Sequence, residues 1–167
     1  MAIPLPPHEI RVFMRDDPPP AEAEELFAAQ LADSQRPEPL GESRCGAWNF
    51  YLICAVAVGD HVLGGVCLDF GPISGDGPLA CERLAYLERT LVRPEYRRRG
   101  LATAVLRHAI VLAHDAGCEY IRCHADWDNA AETALFRRCG FALVDLNGEQ
   151  VEDPSYLAIR SLQNLHT

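Results

Sequence analysis

The chain has 167 residues, 49% of them apolar and 23% charged, which is enough for one globular domain with a substantial core. Its formal charge is −9, from 24 acidic and 15 basic residues, and every basic residue is an arginine. That balance argues against general nucleic-acid binding, which needs an extended basic face, and it removes lysine from any catalytic role. No apolar run reaches the roughly 18 residues of a membrane span, and "MAIPLPPHEIRVF" has neither the basic leader nor the apolar core of a secretory signal. The expectation is a soluble, cytoplasmic protein with no membrane partner.

In chain order, "IRVFM" (10–14) reads as a short strand, broken by "DDPPP". Residues 21–35 have helical composition with acids in the first turn, where the helix dipole favours them. Residues 36–48 hold two prolines and two glycines and read as a loop or an irregular short helix. "FYLICAVAVGDHVLGGVCLDF" is two β-rich runs joined at Gly59-Asp60, a hairpin signal. After the loop "GPISGDGP" comes the strand "CERLAYLERTLV" (81–92). Residues 101–116 form a helix, with Leu101, Val105, Leu106, Ala109, Leu112 and Ala113 on one face and Gly117 as its stop. "CEYIRCHA" is a strand, "DNAAETALFRRC" a helix ended by Gly140, and "FALVDL" and "SYLAIRSL" are final strands. The order β-α-β-β-β-α-β-α-β-β gives an α/β (α+β) fold class, a mixed sheet covered by helices in one domain over 1–167.

Seven cysteines (45, 54, 67, 81, 118, 123 and 139) are scattered through mostly apolar runs without a CxxC. Cys118, Cys123 and the histidines at 108, 114 and 124 match no zinc spacing, so no metal is expected and the thiols are read as buried and reduced.

"RPEYRRRGLA" carries Arg93, Arg97, Arg98 and Arg99 against Glu95, a local charge of +3 in an acidic protein. A strand feeding a basic turn that opens a helix suits an anion. The first helical N–H groups lack partners, the dipole is positive there, and Gly100 lets a phosphate approach the backbone. The bland alternative is a solvated arginine run around a turn glycine. A nucleotide-phosphate loop of the Walker type is unsupported, because the chain has no lysine.

"LERTLVRPEYRRRGLATAVLRHAI", followed after a strand by "DNAAETALFRRCGF", resembles the GNAT superfamily of N-acetyltransferases. The family's R/Q-x-x-G-x-G/A signature is present as Arg97-Arg98-Arg99-Gly100-Leu101-Ala102, and its N-x(6)-Y/F-x(3)-G-F element as Asn129, Phe136 and Gly140-Phe141. The close match covers Leu87 to Phe141, and the element order from 10 to 161 agrees. The resemblance implies acetyl-CoA or another acyl-CoA as co-substrate, with its pyrophosphate on the amides of Arg98 to Thr103 and Arg97 in the same signature. It further implies a sheet splayed between "LERTLV" and 118–125 by a bulge, pantetheine bonded to Leu91 and Val92, and contacts from Asn129 and Phe136. Asn129 with Glu132 also reads as a capping box.

Acyl transfer to an amine needs a base, an oxyanion donor and a leaving thiolate. Alternation in "AYLERTLV" puts Tyr86, Glu88 and Thr90 on one face. Family bases occur at the positions matching Tyr86 and Glu88, and Glu88 is the carboxylate of the two, hence the chosen general base. Asp126 and Asp128 are secondary candidates, and pairing of Glu88 with Arg83 is the structural alternative. A backbone N–H of Leu91 or Val92 is the implied oxyanion donor. Much of the family has a tyrosine acid where this chain has Phe136, so the acid is unassigned, with Tyr96, Tyr120 and Tyr156 as substitutes. The reading is an N-acetyltransferase acting on a small-molecule amine in a ternary complex. A protein or peptide amine, and a non-catalytic acyl-CoA-binding module, are the alternatives. A homodimer accords with the family. Residues 36–48, 71–80 and 145–156 are expected to line the acceptor site.

Overall fold

A computed structural model of the chain describes residues 4–14, 17, 19–28, 49–73, 77–79, 82–126, 128–145 and 155–163. The elements are β1 (His8–Met14), α1 (Ala21–Leu26), β2 (Asn49–Ala57), β3 (His61–Pro72), β4 (Arg83–Val92), a 3₁₀ turn (Pro94–Tyr96), α2 (Leu101–Asp115), β5 (Cys118–Asp126), α3 (Ala130–Arg138), β6 (Ala142–Asp145) and β7 (Ser155–Ser161). This order agrees with the sequence reading. The expected helix 21–35 is described only over its first part, while the loop 36–48 and most of the segments expected to line the acceptor site lie outside the described residues.

The seven strands form one mixed sheet in the order β1-β2-β3-β4-β5-β7-β6, antiparallel throughout except for the parallel pair β4–β5. That single parallel pair exists because α2 is the crossover between its strands, as a parallel connection requires.

Alternation along the strands sorts the apolar side chains onto two faces. Ile53, Leu63, Val66, Leu68, Ala85, Leu87, Ile121 and Cys123 meet the buried stripe of α2, which is Leu101, Val105, Leu106, Ala109, Ile110 and Ala113. The stripe is nearly the expected one, with Ile110 buried and Leu112 packed at its margin. On the opposite face Phe13, Leu52, Cys54, Val56, Val62 and Cys67 pack against Ala23 and Phe27 from the α1 segment. The five described cysteines are all buried and free. Burial pushes the Cys54 thiol up to about 12 and the Cys118 thiol up to about 11, so neither is a thiolate near neutrality.

One polar cluster ties α1 to the sheet. Glu22 Oε2 accepts from Val62 N–H (3.0 Å), His61 Nδ1 (2.8 Å) and Arg93 Nη2 (3.1 Å), while His61 Nε2 lies 3.2 Å from the Tyr96 hydroxyl. Arg93 Nε also donates to the Val62 carbonyl at 2.6 Å. The backbone N–H of Val62 is the main cause holding the Glu22 carboxyl below its ordinary value of 4.5, with His61 and Arg93 adding to it against an opposing desolvation. A carboxylate depressed in the fold contributes stability above its unfolded pKa, and that contribution fades as pH falls through the folded value. The Glu22 side chain is 41% exposed, so solvent screening keeps this contribution small, and Glu22→Gln is expected to lower the thermal midpoint at pH 7 by no more than about 2 °C. The melting curves of the two proteins should converge as pH falls below 4.5 and through the folded value beneath it, and an offset that stays constant across the acid range would contradict the assignment.

Candidate active site

Strands β4 and β5 start as partners and then part. Their pairing runs through Arg83–Cys118, Leu84–Tyr120, Ala85–Ile121 and Tyr86–Arg122 and stops, although β4 continues to Val92 and β5 to Asp126. The cause lies on the other edge of β4. Cys67 of β3 faces Arg89 and the next residue, Leu68, faces Leu87, so Glu88 is an extra residue with no opposite number. Such a bulge bends the strand and raises its twist, and a wedge opens between Leu87–Val92 and Cys123–Asp126.

The bulge corrects the expected alternation. Thr90 stands opposite Val66, and Leu87 opposite Leu68, both helix-side core residues, so Thr90 turns to the α2 face. Tyr86 and Thr90 thus lie on opposite faces rather than together. Glu88 belongs with Tyr86. It is half-buried, and its charge adds to that of Asp69 in pushing up the Cys67 thiol, behind burial and Cys54; Cys67 is on the α1 face.

The backbone of β4 alternates as well. Arg93 N–H donates to Leu63 C=O at 3.0 Å, so residues 93 and 91 direct their polar groups at β3, and residues 90 and 92 direct theirs into the wedge. Two contacts agree with this. A Cβ on Gly64 would stand 2.6 Å from the Leu91 carbonyl oxygen, which is why β3 carries glycine there. The Val92 carbonyl accepts from Arg97 Nε at 3.0 Å instead of from a strand. Val92, not Leu91, therefore offers its N–H to the wedge, and the Leu91 side chain packs on the α1-side cluster.

At the mouth of the wedge the chain turns from β4 through the 3₁₀ turn to α2. Gly100 is the N-cap with φ +84°, and Arg98 also takes a left-handed φ of +64°. The first helical bond is Ala104 N–H to Gly100 C=O at 2.9 Å, which leaves the N–H groups of Leu101, Ala102 and Thr103 at the positive end of a 15-residue helix. A Cβ on Gly100 would meet nothing within 4 Å, so conformation and not crowding demands glycine there. Two of the four arginines are otherwise engaged: Arg93 with Glu22, and Arg97 with the Val92 carbonyl. Arg98, exposed, and Arg99, half-buried, remain beside the helix start.

Asn129 is the N-cap of α3 and accepts from Glu132 N–H at 3.1 Å. Glu132 does not close the box; its Oε2 accepts from Asp126 N–H at 3.1 Å. Asp126 and Asp128 shape this turn through their carbonyls, which accept from Asn129 and Ala130, so they read as helix-start acids. Phe136 is fully buried, its ring centroid 5.2 Å from that of Phe141. It is a residue of the main core, on the side of α3 that packs against the sheet. Tyr96 is buried in the Glu22 cluster, and Tyr120 stands opposite Leu84, before the strands part. Tyr156, opposite Ala125, is the one substitute acid beside the open end of β5. The sequence reading gave Asp69 and Arg122 no role and weighed His124 only as a metal ligand. The signal for Arg122 and His124 was the polar alternate of "CEYIRCHAD", whose odd-numbered residues Ile121, Cys123 and Ala125 are core.

A bulged strand parted from its parallel neighbour, with a glycine-capped helix start at the opening, is the arrangement the resemblance implies. Residues 10–141 match the acetyltransferase (GNAT) family. The chain belongs to that family. Among sequence relatives, a GCN5-related N-acetyltransferase 4, chloroplastic, of Arabidopsis thaliana is 35% identical over 72 residues, a stretch that is 42% of this chain and 25% of that protein. The chain thus matches about a quarter of the relative's length. The fold of this GNAT chain resembles Arabidopsis thaliana NAA60 in complex with acetyl-CoA, at TM-score 0.62 and 17% identity, covering 92% of this chain and 98% of that one. It also resembles a Bacillus subtilis acetyltransferase in complex with CoA, at TM-score 0.59 and 14% identity, covering 92% of this chain and 99% of that one.

The cap assigned to Asn129 has a direct measure. Asn129→Ala should cost about 1 kcal/mol in denaturant unfolding, while Asn129→Asp, which keeps an acceptor, should cost little. Equal losses in the two variants would contradict the capping role.

Proposed function

We propose that this chain is an N-acetyltransferase that moves an acetyl group from acetyl-CoA to a primary amine by direct attack in a ternary complex. The wedge beside Glu88, opening on the α2 start, is the observation that carries the reading. The residues there suit an acyl-CoA. The Leu101–Thr103 amides and the Gly100 surface accommodate a pyrophosphate, and Arg98 and Arg99 add charge. Inside the wedge, the inward-directed backbone of Thr90 and Val92 suits the amides of a pantetheine arm. Thr90 Oγ1 is buried without a hydrogen-bond partner, a costly state that a polar arm in the wedge would relieve.

Acetyl-CoA supplies an activated thioester. Glu88, at the bulge, takes the ammonium proton, so that the amine nitrogen bonds the carbonyl carbon. The Val92 N–H stabilises the charge that develops on the carbonyl oxygen. The carbon–sulfur bond then breaks, the nitrogen gives up its second proton, and that proton neutralises the departing thiolate. A thiol of pKa about 8.5 is a tolerable leaving group, so Phe136 in place of a tyrosine does not prevent turnover. Residues 1–167 act as one acyltransferase unit. Free buried thiols at five described cysteines favour a reducing compartment such as the cytoplasm.

Two substitutions test this. Glu88→Gln should lower kcat by about 10²-fold or more and remove the acidic limb of the pH–rate profile, while calorimetry finds acetyl-CoA affinity intact. A variant with unchanged rate and limb would move the base elsewhere. Gly100→Val should weaken acetyl-CoA binding far more than Arg99→Ala does; similar small losses would assign binding to side-chain charge instead of the backbone.

A further inference from the structure

Beyond the donor channel, the sheet presents a row of polar side chains on its α1 face where β4 and β5 begin to part. Asp69 of β3 stands opposite Tyr86 of β4, Tyr86 opposite Arg122 of β5, and Arg122 opposite Ile159 of β7. The Arg122 guanidinium carbon lies 5.6 Å from the centre of the Tyr86 ring, and the His124 ring meets Tyr86 edge-on at 6.5 Å. All of these side chains therefore share one surface. Glu88 joins it at the bulge, next to Cys67, whose pairing partner Arg89 follows on β4.

Arg122 is the unusual member. Its Nε is shut away from solvent and makes no hydrogen bond. Stacking on Tyr86 holds the guanidinium plane but satisfies none of its N–H groups. A guanidinium stays charged at any working pH and presents a fork of donors matched to a carboxylate. The row is thus bipolar, with carboxylates on β3 and β4 and one guanidinium on β5. Adjacent strands lie about 4.8 Å apart and residues rise about 3.3 Å, so regular pairing would put Glu88 about 8 Å from Arg122 at the backbone, and the parting of β4 from β5 widens that gap. Side chains reaching inward from both would fit an ammonium and a carboxylate a few carbon atoms apart.

We propose that the acceptor is a zwitterionic amine of the amino-acid class, its carboxylate held by Arg122 and its amino group facing Glu88. This rests on the acetyl-transfer reading. The ammonium passes one proton to Glu88, the freed amine nitrogen bonds the acetyl carbon, the carbon–sulfur bond breaks, and the second nitrogen proton goes to the thiolate. The product is an N-acetyl amino acid whose carboxylate still faces Arg122. The amine of a protein N-terminus is followed by an amide, which would leave Arg122 without its anion, so a free amino acid is favoured over a peptide.

The test is thiol release from acetyl-CoA with matched acceptors: free amino acids, their amides, the corresponding decarboxylated amines and short peptides. The full-length protein should prefer at least one free acid over its amide by about 100-fold or more in kcat/KM, as expected where a site is built for a polar group the analogue lacks. Arg122→Gln should collapse that ratio towards one, chiefly through KM for the acid, and Arg122→Lys should restore part of it. A structural role for Arg122 would lower both rates without changing the ratio. If Arg122→Gln does not fold, the ratio in the native protein and in Arg122→Lys decides. Turnover of amides or peptides without preference for the acid overturns this inference alone. Thiol release from no acceptor at all, even with acetyl-CoA bound in calorimetry, overturns it together with the catalytic reading.

Discussion

The site depends on one extra residue in β4. Glu88 has no partner opposite it on β3, and the strand that carries it bends away from β5 two residues after their last pairing, at Tyr86. A strand interior normally has its backbone groups bonded on both sides. Here the bend leaves residues 90 and 92 facing a wedge in place of a neighbouring strand, and the Val92 carbonyl accepts from Arg97 Nε instead. The same bend brings a half-buried carboxylate to the edge of the wedge. The opening, the inward-facing backbone and the carboxylate at its edge thus follow from one backbone irregularity.

That irregularity needs a rigid surround. Behind it, Gly64 lets β3 lie close against Leu91 and Val92. Below it, the α2 stripe packs on β3 and β4 and fixes where the helix begins. Beside it, Glu22 joins Val62 and Arg93, and His61 links that group to Tyr96, so the turn between β4 and α2 is anchored from the α1 side. The arginine run therefore divides its labour. Arg93 and Arg97 hold the turn in shape, which leaves Arg98, Arg99 and the helix amides for the anion of the proposed function. This resolves a basic island in a chain of charge −9. Only a local cradle is positive, and it suits a compact anion better than an extended polyanion.

Much of the fold was legible because its signals are local. The α2 stripe follows the helical period, Gly59 and Asp60 take the positive φ a hairpin turn needs, and Gly100 and Gly117 bracket α2 with left-handed backbone. The side chains at the site were harder to read, because a bulge changes the period of a strand without changing its composition. "AYLERTLV" assigns Thr90 to the wrong face unless its register against β3 is known. Phe136 illustrates another limit, since spacing placed it in a family motif but only packing against Phe141 shows the ring inside the core. The grouping of Arg122 and His124 with Tyr86 was not legible because these partners, and the β7 residues beside them, come from distant parts of the chain.

Amide hydrogen exchange with and without saturating acetyl-CoA tests most directly whether the wedge is the donor channel. The account predicts new protection at Thr90 and Val92 and at Leu101, Ala102 and Thr103, while Leu91 and Arg93, whose amides face β3, change little. Protection confined to the arginine side of the loop, or absent from residues 90–92, would contradict it.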